Sequence, residues 1–224
     1  MTGPPHEAGS RPLARGLEFC VLFVVLPAAV ACLPVRLPLL PALWILTGVC
    51  LAFLWSDPTF NRGRLWGTAG LKGHVRRIAI RFVAAALVLA VLVMVFVPGR
   101  LFGFVRARPV LWALVMVLYP VLSVYPQGIV YRAFVFHRYR VLFGGGPALV
   151  LASAGAFSLM HVVLLNWVAV SFTLIGGLLF ADTYRRSNSL LASCLEHALF
   201  GGYIFTIGLG VYFYGGARFG AGPS

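Results

Sequence analysis

Long stretches of this sequence run almost without charge, near residues 17–34, 37–55, 78–97, 109–125, 147–165, 167–183 and 189–213. Several reach about 17 to 20 residues, enough for a helix to cross a bilayer core of about 30 Å. Backbone groups surrounded by lipid must bond within their own segment or around a closed barrel. The runs are unbroken rather than alternating, which selects helices over barrel strands. The sequence therefore predicts an all-α, multi-pass transmembrane helical bundle of about seven spans. The fourth run continues past Pro126 to about Tyr139, with the proline bending it. Composition agrees: 61% of residues are hydrophobic, 10% are charged and the mean hydropathy is +0.95, too apolar to coat an ordinary water-facing surface.

The domain organisation is simple. Residues 1–15 are polar and rich in Pro and Gly and are expected to form a disordered tail. Residues 16–214 form one transmembrane domain, and 215–224 a C-terminal tail. No loop except 56–77 is long enough for further structure, and no internal repeat supports a transporter or channel built from two related halves. No cleavable signal peptide is evident.

The net charge of +13 comes from 18 basic and 5 acidic residues. The Arg residues cluster between apolar runs, so their partners are anionic lipid headgroups, with no nucleic acid expected. Alternating compartments hold eleven basic residues on one side and five on the other. The positive-inside bias then places the N-terminus in the cytoplasm, in an integral protein of the cell's inner (plasma) membrane. Cys20, Cys32, Cys50 and Cys194 lie in apolar runs without CxxC spacing, and read as small buried hydrophobes rather than disulfides or a metal site.

A charged side chain within lipid costs about 2.5 to 3.5 kcal/mol by insertion scales, and usually faces the protein interior. Glu18, Arg132, His161, Glu196 and His197 are the residues concerned, with Asp182 near a span end. Glu18 opens the first span and reads as a boundary residue. Asp182 is placed to pair with Arg185 and Arg186 at (i, i+3) and (i, i+4). Arg81 and His74, beside a basic loop, need no special role. His161 and His197 lie deep in separate spans, and Phe157 stands one turn before His161. They can serve as acid/base groups, oxyanion donors or metal ligands, or as two independent interhelical hydrogen bonds. Arg132 would pair with an anion one turn earlier, and Gly128 stands there.

Taken in order, Gln127-Gly128-Ile129-Val130-Tyr131-Arg132, Phe157 to His161, and His197 make the second half resemble the CPBP (CAAX protease and bacteriocin-processing, or Abi) family of intramembrane endopeptidases. The family pattern is Glu-Glu-x-x-x-Arg, then Phe-x-x-x-His, then His followed four residues later by Asn, and the likeness covers roughly residues 115–210. The resemblance implies a glutamic-type hydrolase without cofactor or metal: a Glu activates water, histidines position it, and His with Asn stabilises the oxyanion. The implied partner is a hydrophobic or lipid-anchored peptide or protein, processed near its end. The implied catalytic set here is His161, His197, Gln127, Gly128 and Arg132, with Glu196 as a replacement base or an interhelical bond. Asn166 is a further candidate to line the site.

The chain departs from the pattern at three positions. Gln127 and Gly128 replace the two glutamates, and Gly201 stands where the third motif has Asn. An amide cannot accept the proton and glycine has no side chain, so the alternative reading is a catalytically disarmed pseudoprotease that binds peptide. By the pattern alone, Gly128→Glu is the natural repair. Metalloprotease chemistry lacks a third ligand.

Overall fold

With no water to satisfy them, the backbone groups of each apolar run close on themselves. A computed structural model, describing residues 7–33 and 38–213, has seven helices long and apolar enough to cross a membrane. They are α1 (Pro12–Cys32), α2 (Leu39–Ser56), α3 (Val75–Phe96), α4 (Pro109–Arg138), α5 (Pro147–Leu164), α6 (Trp167–Ser187) and α7 (Leu190–Ile207). No strand occurs among the described residues. The first helix starts earlier than the sequence predicts. It begins at Glu7 and includes Pro12, so residues 7–15 are helical rather than a tail. The remainder of that tail, residues 1–6, and the C-terminal tail, residues 215–224, lie outside the described residues.

Helix ends follow from capping chemistry. The Asn166 side chain accepts from the Val168 and Ala169 amides to start α6, and Ser189 accepts from Ala192 to start α7. Helix α7 ends at Gly208, with φ +103, where any Cβ would run into the Arg100 carbonyl. Helix α7 packs on α3, α4 and α6; α1 packs on α5, and α2 on α4. The α5–α6 contact relies on small residues: a Cβ at Gly177 would stand 3.1 Å from Ala154 Cα. Such close approach replaces the hydrophobic drive that lipid removes. Buried hydroxyls add bonds, Ser153 to the Tyr131 carbonyl (2.6 Å) and Ser193 to the Phe180 carbonyl (2.9 Å).

Prolines inside α1 and α4 are absorbed by widened turns. Residues Val21–Val25 precede Pro27 and residues Pro120–Val124 precede Pro126. Each wide turn makes room for the ring against the carbonyl four residues earlier. At Pro126 that carbonyl belongs to Leu122, and Trp44 Nε1 of α2 donates to it at 3.1 Å. The indole thus supplies the proton that proline lacks. Trp44→Phe is expected to lower stability by about 0.5–1.5 kcal/mol. The loss should shrink in a Pro126→Ala background, where an amide is restored, as a double-mutant cycle of unfolding midpoints can measure.

Ionic clasps tie the helices at the end of the bundle where α2 ends and α3 begins. Glu18 is more than a boundary residue: Arg138 donates to both its oxygens (2.9 and 2.7 Å) and Tyr139 adds a third bond, fixing α1 to α4. Asp57 accepts from the Thr59 amide and hydroxyl and meets His137 at 2.8 Å. The Thr59 bonds first, then His137, hold its carboxyl well below the usual range. Asp182 pairs with Arg185 and Arg186 as its spacing predicts, and also with Arg77 and Arg81 of α3.

Candidate functional site

Phe157 is the meeting point of the residues singled out in the sequence. Its ring centroid lies 4.8 Å from that of His161 and 5.3 Å from that of His197, while the Arg132 Cζ stands 4.3 Å over its face. Three helices deliver these groups: α4 carries Arg132, α5 carries Phe157 and His161, and α7 carries His197. Phe180 of α6 completes the arrangement, stacked on His197 at 4.6 Å and 19°, with Arg132 Cζ 5.5 Å from its ring centre.

Local structure aims each group. Helix α4 widens a second time over Ile129–Phe134, and all six residues of that turn are buried. This turn drives the Arg132 guanidinium inward, 1% exposed, behind the two phenylalanines. None of its three nitrogens has a hydrogen-bond partner among the described residues, so the aromatic faces supply its contacts. His161 stands where α5 tightens into a final turn, His161–Leu164, before Leu165 takes a left-handed conformation. His161 Nδ1 lies 2.8 Å from the Phe157 carbonyl. A carbonyl only accepts, so Nδ1 carries the proton and the neutral ring keeps its lone pair on Nε2. His197 Nε2 lies 3.2 Å from the Tyr119 hydroxyl.

A cavity of about 1210 Å³ opens beside this cluster. Gln127, His161, His197, Tyr119, Phe157 and Phe180 lie on its wall, and the remainder of the lining is largely apolar. Its outer edge is formed by residues such as Leu40, Val88, Leu92 and Leu114, which are exposed on the apolar flank of the bundle. The mouth therefore lies within the greasy belt, between helices, and not at a polar end. Arg132 does not line the cavity; the phenylalanines stand between. The expected trio is thus gathered around one ring, but only the two histidines face the open volume.

The other candidates separate cleanly. Gln127 Nε2 donates to Ser123 at 2.7 Å, and its Oε1 is buried without a partner. Gly128 does not line the cavity; a Cβ there would come 2.7 Å from Cys194 Sγ and 3.0 Å from Leu190 Cδ1. Glu196 is fully buried and not on the cavity wall; its Oε1 lies 3.5 Å from Arg81 Nη1, in the network around Asp182. Asn166 is taken up by the α6 cap and by a 2.8 Å bond to the Tyr212 carbonyl. Among the described residues no group of three His, Cys, Asp or Glu side chains is placed to hold a metal.

Sequence reasoning passes over Tyr119, Phe180 and Arg81. Arg81 is the one that spacing might have exposed, since it falls inside an apolar run seven residues past the basic loop's His74; it joins α3 to Asp182 and Glu196. Tyr119 and Phe180 belong to ordinary apolar stretches, and nothing in their spacing marks them.

Residues 109–203 match the family model described as type II CAAX prenyl endopeptidase Rce1-like. No curated protein and no solved structure gives a match to the chain. The matched segment contains α4, α5, α6 and most of α7, the four helices that supply Arg132, Phe157, Phe180 and the histidines.

Proposed function

We propose that this chain, which over residues 109–203 carries a domain of the CPBP, or CAAX-protease, family of intramembrane endopeptidases, holds a hydrophobic, lipid-anchored peptide in its cavity without hydrolysing it. The observation that supports this most directly is the cavity wall, which contains no carboxylate among the described residues. Of the two positions aligned with the motif glutamates, one holds an amide bonded to Ser123 and the other a glycine packed against Cys194. Glu18, Asp57, Asp182 and Glu196 are each paired with basic groups, and none of the four lies on the cavity wall. Attack of water on a peptide carbonyl needs a group to take its proton. Neutral Gln127 accepts none near pH 7.

The same wall suits binding. Its apolar extent matches a prenyl chain or greasy peptide side chains, and the two imidazoles, the Tyr119 hydroxyl, Gln127 and Arg81 are among the polar groups on it that can fix orientation. On this reading the excess of Arg on one face keeps the N-terminus cytoplasmic, in the inner (plasma) membrane. The test uses purified full-length protein in nanodiscs with a fluorescent prenylated CAAX peptide. Saturable binding is expected, with no release of the residues that follow the prenylated cysteine. Turnover of peptide by the native chain would overturn the proposal.

A further inference from the structure

The position that separates the third motif from its family pattern is Gly201, and the structure shows what stands in its place. A Cβ at 201 would overlap the Tyr119 ring, whose hydroxyl and nearest ring carbons lie where a side chain at that position would begin. Tyr119 comes from α4, not α7, and reaches across to His197 on the adjacent turn, with Oη 3.2 Å from Nε2. The ring also packs edge-on against Phe205 at 5.5 Å. Tyr119, His197 and Gly201 all line the same cavity. The glycine and the tyrosine are therefore one feature: the absence of a side chain at 201 makes room for a phenol delivered from another helix.

We propose that Tyr119 is a peptide-binding residue of this site, held in place by His197, and that its hydroxyl is the donor presented to a backbone carbonyl of the bound peptide. A hydroxyl can donate or accept, and in this proposal the donor at the 3.2 Å contact is His197 Nε2–H, which leaves the phenolic hydrogen free to point into the cavity. With that assignment the imidazole is in its Nε2–H form, and the hydroxyl does not donate to the ring. A neutral phenol supports binding well, because it offers a hydrogen bond without bringing charge into an apolar chamber. The carbonyl-binding role rests on the peptide-binding reading above; the Tyr119–His197 pairing does not.

Two measurements on full-length protein in nanodiscs separate these claims. The first is the ¹⁵N spectrum of labelled histidines without any peptide. Native protein is expected to show His197 with a protonated Nε2, and Tyr119→Phe, which keeps the ring and loses the oxygen, to shift that resonance. Gly201→Ala retains the hydroxyl but displaces the ring, and should produce the same loss of pairing. The second is the affinity for the fluorescent prenylated CAAX peptide, which Tyr119→Phe should weaken about 3- to 10-fold, the worth of one net hydrogen bond. An unchanged His197 spectrum in Tyr119→Phe overturns the pairing, whether or not the native chain binds peptide. A shifted spectrum with native affinity overturns the carbonyl-binding role.

Discussion

Gln127→Glu is expected to give this chain measurable hydrolysis of a prenylated CAAX peptide, at a rate at least about 10²-fold above the native protein. Residue 127 lines the cavity together with His161 and His197, so a carboxylate there would stand on the same chamber wall as both imidazoles. His161 already directs its Nδ1 proton to the Phe157 carbonyl, which leaves Nε2 to accept from a water. General acid–base assistance contributes about 10²- to 10⁴-fold, and the lower figure suits an amide replaced in an otherwise unaltered wall. Release of the residues beyond the prenylated cysteine, followed by mass spectrometry in nanodiscs, reads the result. The paired control is Gly128→Glu, which the motif alone recommends. It should yield no gain and a less stable protein, because its Cβ meets Cys194 Sγ and Leu190 Cδ1 before the carboxylate can be placed. Bound peptide left intact by Gln127→Glu would mean that the site lacks more than a base.

The second large effect is structural. Phe157→Ala should lower stability by about 3–5 kcal/mol, the usual cost of emptying a buried aromatic site. The ring is 1% exposed and touches Tyr131, His161, Phe180 and His197. It also covers Arg132, whose guanidinium has no hydrogen-bond partner among the described residues. Removing it leaves a buried cation whose other ring-face contact among the described residues is Phe180, at 5.5 Å. Thermal unfolding in mild detergent measures the loss. Phe157→Leu, which retains most of the volume but no π face, should fall between, and Phe157→Ala combined with Arg132→Met should recover part of the deficit by removing the stranded charge. A Phe157→Ala midpoint equal to the native one would show that the ring does not hold this cluster together.

The bundle was readable in the chain because lipid leaves the backbone so few options. The run past Pro126 is the clearest instance: a hydrophobic stretch with a proline in its interior still predicts one helix, and α4 extends to Arg138. The device that permits it, a widened turn with Trp44 bonded to the Leu122 carbonyl, has no local signature, since the indole comes from another helix. Polar residues divide in the same way. Asp182 pairs with Arg185 and Arg186 because the helix itself sets that spacing. Its ties to Arg77 and Arg81, and those of Glu18 to Arg138, join segments about a hundred residues apart and depend on which helices become neighbours. The histidines announced themselves by the cost of placing them in lipid. Tyr119 did not, because a phenol in an apolar run is unremarkable until the empty space at Gly201 is seen beside it.

A doorway set at the depth of acyl chains changes what concentration means for this protein. On the proposed function, a guest entering through the belt formed by Leu40, Val88, Leu92 and Leu114 would already be dissolved in the membrane, and would search a sheet rather than a volume. Its occupancy should follow its mole fraction among lipids, so that diluting the bilayer empties the chamber while diluting the buffer does not. Lipid tails themselves become the competing solvent, and discrimination between guests then falls to the few polar atoms on the far wall.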